Sequence, residues 1–461
     1  MMTDRRFVLV SHRGPYRLRK SPQGVRRERS IGGLATTLLP LIEHLGGAWI
    51  TSGESAGEYL MPPRKPRYSL RYLQLTPEER EGFYYGLSNN ALWPLCHSFL
   101  GRVHYDLAEW TVYDQVNSDF ARAALEEAQE GDVIWVHDYQ MARVPHYIRL
   151  KRPSARILFF WHIPFPPLEI FRTLPWRHLI LESLLACNVI GFHINTYCRN
   201  LMEAAENILG AQRDGEWLYY KGRRTRIVAR PIGIDCSFID RVARLPATEE
   251  RVQNLRTGLG EGTLILGVER MDYTKGIVER MRGLEYLLEN HAKWHGRIRL
   301  LQIVTPSRDG VEAYRQKKRE IDETVGRVNG RFSDGLWTPI HYLYRSFTAA
   351  ELVAYYRAAE IALITPLRDG LNLIAKEYVA ARIHGDGALV LSEFAGVADQ
   401  LPQAILTNPY SSEDVAFALQ QALTMRPEEQ QQRMAAMQDR VRAEDIRWWL
   451  NEFLRLADEI E

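Results

Sequence analysis

Cysteine is scarce in this chain, and what there is lies scattered. Cys96, Cys187, Cys198 and Cys236 are the only four in 461 residues, without the paired spacing of a zinc site or the density of a secreted disulfide scaffold. Reduced thiols, and with them a cytoplasmic setting, are the expectation. Paired acids are missing as well: no Asp-x-Asp triplet occurs, the motif that commonly holds a divalent metal against a diphosphate. The one His-x-x-x-His pair, His291 and His295, lacks the glutamate that follows the first histidine of a zinc-protease helix. It reads as surface, and neither a metal nor another cofactor is expected. The net charge is only +2 and the pI about 8.2, which argues against nucleic acid as a partner, since that leaves a concentrated basic stripe. The short run Arg223-Arg224-Thr225-Arg226 reads as a solvated hairpin edge. No apolar run approaches the roughly twenty residues of a membrane helix, and Met1 to Arg6 leads into an apolar segment with no signal-peptide pattern. Internal repeats and low-complexity tracts are absent too.

What is present is a rhythm. Short apolar runs recur at Phe7–Ser11, Val133–His137, Arg156–Trp161, Val189–His193, Ile227–Ile232, Leu264–Val268, Ile298–Val304, Ile361–Thr365 and Ala388–Leu391, separated by helical stretches. That alternation predicts an α/β protein with parallel sheets wrapped by helices. A chain of this length exceeds one core, and the charged, helical stretch Val242–Gly262 follows the fifth run. We therefore expect two doubly wound, Rossmann-like domains, 1–240 and 241–461, with a ligand cleft between them at the carboxyl ends of the strands. The last helix, about 441–461, carries an apolar aromatic face and is expected to pack back toward the N-terminal domain as core.

Two turns in the second half invite an anion. The segment Thr365-Pro-Leu-Arg-Asp-Gly-Leu-Asn-Leu-Ile-Ala-Lys-Glu377 reads as a buried strand, a polar bend at Asp369-Gly370, and a helix from Leu373. Backbone N–H groups at a helix start take phosphate oxygens, while Asp369 can accept from sugar hydroxyls. An ordinary strand-to-helix connection with a surface Asp-Gly turn fits the same residues. The earlier segment Leu266-Gly-Val-Glu-Arg-Met-Asp-Tyr-Thr-Lys-Gly276 repeats the pattern and adds Arg270 and Lys275, two cations able to neutralise a departing diphosphate. Surface ion pairing is the plainer account of those cations. In the first half, Arg13 has the planar fork that suits phosphate, and Gly32-Gly33 lets backbone approach a ligand closely. His137-Asp138-Tyr139 and Phe160-Trp-His162 each end a buried strand, where cleft residues sit but where structural histidines also occur. Tyr84-Tyr85 and Asn89-Asn-Ala-Leu-Trp-Pro94 suit a sugar ring or a packed loop equally.

Taken in this order, the motifs Val268-Glu-Arg-Met-Asp-Tyr-Thr-Lys-Gly276, Thr365 to Tyr378, Trp161-His-Ile-Pro-Phe-Pro166, Val136-His-Asp-Tyr139 and Leu92-Trp-Pro94 make the chain resemble the trehalose-6-phosphate synthases, retaining glycosyltransferases of the GT-B fold. The resemblance implies transfer of glucose from UDP-glucose to glucose 6-phosphate, without metal, by front-face attack. Carried over by position, it implies Arg270 and Lys275 on the diphosphate, Gly32 and Gly33 touching the donor through backbone, and Asp369 on the donor glucose. It likewise implies Leu373, Ile374, Ala375, Lys376 and Glu377 as the donor loop, with Glu377 at the ribose, Phe347 at the nucleotide and His162 beside the donor sugar. For the acceptor it implies Arg13 and Arg308 at the phosphate and Tyr85, Asp138, Trp49 and Trp93 around the sugar. Catalytic weight then falls on Arg270, Lys275, His162 and Asp369. Self-association is left open, and with no phosphatase segment in view, release of free trehalose falls to another enzyme.

Departures gather on the acceptor side. Ser11-His-Arg13 stands where the family usually has Ser-Asn-Arg, and Trp49-Ile-Thr-Ser-Gly53 lacks a second tryptophan. The His-Arg-x-Pro-Tyr opening resembles glucosylglycerol-phosphate synthases, which makes glycerol 3-phosphate the alternative acceptor. Three other classes share parts of the pattern: a two-lobed sugar-binding protein, a nucleotide-sugar epimerase, and a phosphorylase with Lys376 holding pyridoxal phosphate.

Overall fold

The protein is described by a computed structural model at residues 6–21, 24–29, 38–39, 42–44, 46–53, 68–307 and 312–460. Gly32, Gly33 and Arg308 lie outside the described residues. The chain divides into two compact units, Met1–Pro231 with Trp449–Glu461, and Ile232–Trp448.

The first unit is built on β1 (Phe7–Val10), β4 (Gly47–Gly53), β5 (Tyr68–Gln74), β6 (Val133–His137), β7 (Arg156–Phe160), β8 (Val189–Phe192), β9 (Gln212–Asp214), β10 (Trp217–Tyr220) and β11 (Arg223–Ala229), with a separate hairpin of β2 (Tyr16–Ser21) and β3 (Gly24–Arg29). Their order is β5-β4-β1-β6-β7-β8-β11-β10-β9, parallel from β5 to β11 and antiparallel in the closing hairpin. The chain winds outward from β1 through β4 to β5, then restarts at β6 on the other side. The β1/β6 boundary is therefore a topological switch point, where an open α/β sheet leaves a crevice beyond its carboxyl ends.

Its central strands are apolar on both faces because helices cover both, and β1, β6 and β8 are buried along their whole length. The C-terminal helix Ile446–Asp458 supplies part of that cover. Trp449 and Phe453 set their ring centroids 5.2 and 5.0 Å from Trp135 and 5.2 and 5.3 Å from Phe160. Position 191 in β8 has to be glycine here, since a Cβ would stand 2.4 Å from the Phe453 ring. The Trp449 indole N–H donates to the Arg230 carbonyl at 3.0 Å, and Arg230 pairs with Glu452 at 2.7 Å.

The second unit holds β12 (Thr263–Arg270), β13 (Ile298–Thr305), β14 (Ile340–Tyr344), β15 (Ile361–Ile364), β16 (Ala388–Ser392) and β17 (Ile405–Thr407), all parallel, in the order β14-β13-β12-β15-β16-β17. Its switch point falls between β12 and β15. No described helix is long and apolar enough to cross a membrane.

Candidate active site

The second unit's switch point gathers both anion-ready turns. After β12 the chain makes a single turn, Tyr273–Lys275, and enters the helix Ile277–Asn290 through Gly276 at φ +62°. Only glycine fits there, because a Cβ would stand 2.2 Å from the Thr365 carbonyl oxygen. Asp272 fixes the turn: one carboxylate oxygen accepts from the Thr274 N–H at 3.1 Å and hydroxyl at 3.0 Å, and the other from the Tyr314 hydroxyl at 3.2 Å. The turn is tied to its neighbour after β15, where the Leu367 N–H donates to the Thr274 carbonyl at 2.8 Å.

That tie brings Lys275 to Asp369. Lys275 Nζ lies 2.5 Å from Asp369 Oδ2, and the side chains are 9% and 14% exposed, so this is a largely desolvated ion pair. Asn372 donates to the same carboxylate oxygen at 3.1 Å while its own amide oxygen accepts from the Ala375 N–H at 3.0 Å, capping the helix Leu373–Ala381. Asn372 does this at φ +85°, one of four described non-glycine residues with positive φ. Strain of that kind persists where the surroundings over-determine it, commonly at binding sites. Asn372→Ala removes the cap and the carboxylate contact and should cost about 1–2 kcal/mol, whereas Asn372→Gly relieves the positive φ and should cost a few tenths. Urea-unfolding midpoints of the two variants check the difference.

Beneath both turns lies a buried charge cluster. Arg280 is wholly buried on the helix face that also carries Ile277, Met281 and Leu284; it donates to Glu269 at 3.3 Å, Gln302 at 3.1 Å and the Thr365 hydroxyl at 3.2 Å. Burial raises the Glu269 carboxyl, opposed by Lys275 and Arg280, and lowers Arg280. Arg270 ends β12 half-buried, and Arg368 adds a third cation in the β15 turn, its Nε buried without a partner among the described residues. Phe347 follows β14, buried edge-on against Tyr355 at 5.0 Å under the Arg345 guanidinium.

In the donor-loop helix, Leu373 and Ile374 are half-buried and Ala375 is buried. Their N–H groups belong to the first turn, which has no intrahelical acceptors. Glu377 accepts from the Tyr356 hydroxyl at 2.8 Å, and desolvation still raises its carboxyl. Lys376 points elsewhere: its buried ammonium donates to the Ile232 carbonyl at 2.9 Å, and burial brings its pKa down to about 7. Only its backbone stands with the loop.

In the first unit the switch-point residues come together separately. Arg13, just beyond β1 and exposed, donates to the Tyr84 hydroxyl at 2.8 Å. The two departures noted above meet each other: His12 Nδ1 lies 2.9 Å from the Ser52 hydroxyl, and its ring stacks on Tyr84 at 4.4 Å. Tyr84, Tyr85 and Asn89 ride not on a loop but on a helical segment, Glu81–Leu92, wound more widely than an α-helix and interrupted at Gly86, where a Cβ would meet the Glu109 carboxyl at 2.6 Å. Such windings recur at functional sites. Asn89 accepts from the Tyr139 hydroxyl at 3.2 Å, and Trp93 packs its ring 5.8 Å from Tyr139. Trp49 is fully buried and gives its indole N–H to the Ser11 hydroxyl at 2.9 Å, so it backs the end of β1.

Asp138 follows β6 at φ +74°, its carboxylate accepting from the N–H groups of Tyr139 at 3.0 Å and of His162 at 3.2 Å. It thereby fixes the turn that carries His162, whose ring faces His137 at 3.2 Å. Among the described residues, no cluster of three or more histidine, cysteine or acidic side chains is arranged to hold a metal.

The glycosyltransferase family 20 model matches residues 5–459. This chain belongs to glycosyltransferase family 20. A trehalose-6-phosphate synthase of Mycolicibacterium vanbaalenii is 41% identical over 97% of this chain and 95% of its own length. A glucosylglycerol-phosphate synthase of Picosynechococcus is 35% identical over 98% of this chain and 97% of its own. Among solved structures, an E. coli chain bound with UDP-2-fluoro glucose superposes with TM-score 0.91 at 34% identity, over 99% of each chain. A UDP-forming α,α-trehalose-phosphate synthase of Burkholderia xenovorans in complex with glucose 6-phosphate superposes with TM-score 0.90 at 32% identity, over 98% of this chain and 100% of its own. The fold is thus the GT-B fold of these family 20 glycosyltransferases, and the chain is an enzyme of that class.

Proposed function

We propose that this family 20 enzyme transfers glucose from UDP-glucose to the anomeric hydroxyl of glucose 6-phosphate, yielding trehalose 6-phosphate and UDP with retention at the donor carbon. One observation carries the site assignment: the Lys275–Asp369 pair at the β12/β15 switch point sets a cation for phosphate beside a carboxylate for sugar hydroxyls, 2.5 Å apart. The second unit then serves the donor, through Arg270, Lys275, Asp369, Phe347 and the Leu373–Glu377 loop. The first serves the acceptor, through Arg13, Tyr85, Trp93 and Asp138. Trp49 supports that side from behind, and Gly32, Gly33 and Arg308 keep the roles the family pattern gives them.

In the step itself, the bond between the anomeric carbon and the diphosphate oxygen breaks as the acceptor oxygen bonds to the same face of that carbon. The acceptor's proton passes to the leaving phosphate oxygen. Arg270 and Lys275 stabilise the charge that develops on the diphosphate, and the remaining groups orient the two sugars. All four cysteines are free thiols, in keeping with the reducing, cytoplasmic setting we assign.

The test is a matrix of UDP-, GDP- and ADP-glucose against glucose 6-phosphate and glycerol 3-phosphate, read as nucleotide release and as the sugar product. Release of UDP that depends on glucose 6-phosphate, with an α,α-linked product, is the expected result. Faster release with glycerol 3-phosphate would transfer the assignment to that acceptor, release without any acceptor would indicate a hydrolase, and conversion of the UDP-sugar without nucleotide release would indicate an epimerase.

A further inference from the structure

The histidines that close β6, β7 and β8 form a chain that the roles above use only in part. His137 ends β6, His162 follows β7 by two residues, and His193 follows β8 directly. His193 Nε2 lies 3.2 Å from the His162 carbonyl oxygen, and because a carbonyl only accepts, that nitrogen carries a proton. The His162 N–H donates in turn to Asp138 Oδ1 at 3.2 Å. With its backbone held at both ends, His162 turns its ring toward His137: Nε2 stands 3.2 Å from His137 Nδ1, with the rings 27° apart. His137 is wholly buried, its ring centroid 4.7 Å from that of Trp135, and its Nε2 has no hydrogen-bond partner among the described residues.

Burial holds both rings in the neutral form. It pulls His137 far below the ordinary imidazole range, helped by the neighbouring His162, and pulls His162 down likewise, helped by His193. Two neutral imidazoles in contact share one proton between the facing nitrogens. Were His162 the donor, His137 would keep its N–H on the buried Nε2 with nothing to accept it, and orphaned buried N–H groups are rare and costly. With His137 as donor, the buried Nε2 is only an unused acceptor, and His162 carries its own proton on Nδ1.

We propose that His137 is a positioning residue: it donates from Nδ1 to His162 Nε2 and so fixes His162 as the neutral Nδ1–H tautomer, a hydrogen-bond donor toward the sugar substrate. What His162 donates to rests on the glucosyl-transfer reading; the tautomer does not.

Nitrogen-15 spectra of protein labelled at histidine, with His162 assigned by its loss in His162→Gln, read the tautomer without any assay. A protonated Nδ1 and a bare Nε2 on His162 are expected, and a protonated Nε2 overturns the proposal. Kinetics test the consequence. His137→Leu should lower kcat by about ten- to a hundredfold, the range in which outer partners of functional imidazoles act, while KM for both substrates stays within about twofold. His137→Asn, whose side-chain amide N–H can stand near the lost Nδ1–H, should recover most of that loss. A purely structural role would lower the melting temperature and leave kcat of the folded enzyme unchanged, and an unchanged kcat in folded His137→Leu refutes the positioning role. Should the leucine variant not fold, the wild-type spectrum and the asparagine variant decide. A wild-type enzyme that shows the Nδ1–H tautomer but no glucosyl transfer would sink the activity reading and leave the tautomer standing.

Discussion

Arg270→Ala should lose about 3 kcal/mol of transition-state stabilisation, roughly a hundredfold or more in kcat, with a much smaller change in KM for UDP-glucose. The reasoning starts from charge. A diphosphate leaving group gains negative charge as the glycosidic bond stretches. Of the three cations at the two turns, we set two against that charge, Arg270 at the end of β12 and Lys275 one turn on. Lys275 is committed to Asp369 at 2.5 Å, so it arrives with its charge partly neutralised, and its removal also frees that carboxylate. Replacing both cations should cost less than the sum, because the two act on one group of oxygens. Acceptor-dependent UDP release under saturating substrates gives the numbers. Near wild-type turnover by Arg270→Ala would refute the charge-stabilising role, and strict additivity would mean that the two cations serve different groups.

Much of the fold was legible because its central strands are buried on both faces. Phe7–Val10, Val133–His137, Ile298–Thr305 and Ile361–Ile364 are buried over all or nearly all of their length, so the apolar runs place their ends to within a residue. The edges were not legible for the same reason. Tyr68–Gln74 alternates buried and half-buried positions only at its start, Ile340–Tyr344 is half-buried after its first residue, and Ile405–Thr407 is three residues long, so none carries the signal of a central strand. Gly47–Gly53 begins with a glycine at φ +122° and ends in polar residues, which hid a strand that neighbours β1.

The site was legible where chemistry and turn type coincide. Asp369 and Lys275 stand out as charged residues in turns after apolar runs, and glycine at position 276 is demanded by the Thr365 carbonyl. What the sequence concealed was the support. Arg280 occupies the buried stripe of its helix, three residues after Ile277 and one before Met281, and a cation in such a stripe was the one available signal of a buried ion pair. Tyr84 reaches Arg13 across 71 positions, and His12 reaches Ser52 across 40, distances that no local pattern encodes.

That concealed support yields the second large effect. Arg280→Met should destabilise the protein by about 3–5 kcal/mol at neutral pH, because it strands the Glu269 carboxylate in the interior with its hydrogen-bonded ion-pair partner gone. The double variant Arg280→Met, Glu269→Leu should recover much of that loss, since an apolar pair of similar volume has no charge to desolvate. The pH dependence has a definite sign. Burial already raises the folded-state carboxyl of Glu269 above its unfolded value, and removal of Arg280 raises it further. Between those two values the native state binds more protons than the unfolded one, so stability falls as pH rises. The defect of Arg280→Met should therefore be smallest at the acid end of the range, where Glu269 is more fully protonated and depends less on a partner, and should grow toward neutrality. The double variant, with no carboxyl at position 269, should lack this dependence, including the smaller one that Glu269 gives the wild type. Urea unfolding from pH 5 to 8 measures it, with kcat recorded alongside: the cluster ties the helix after one turn to Thr365 before the other, so a loosened cluster should lower kcat even in the folded enzyme. A flat pH dependence in the single variant would mean that water reaches Glu269 once the arginine is gone.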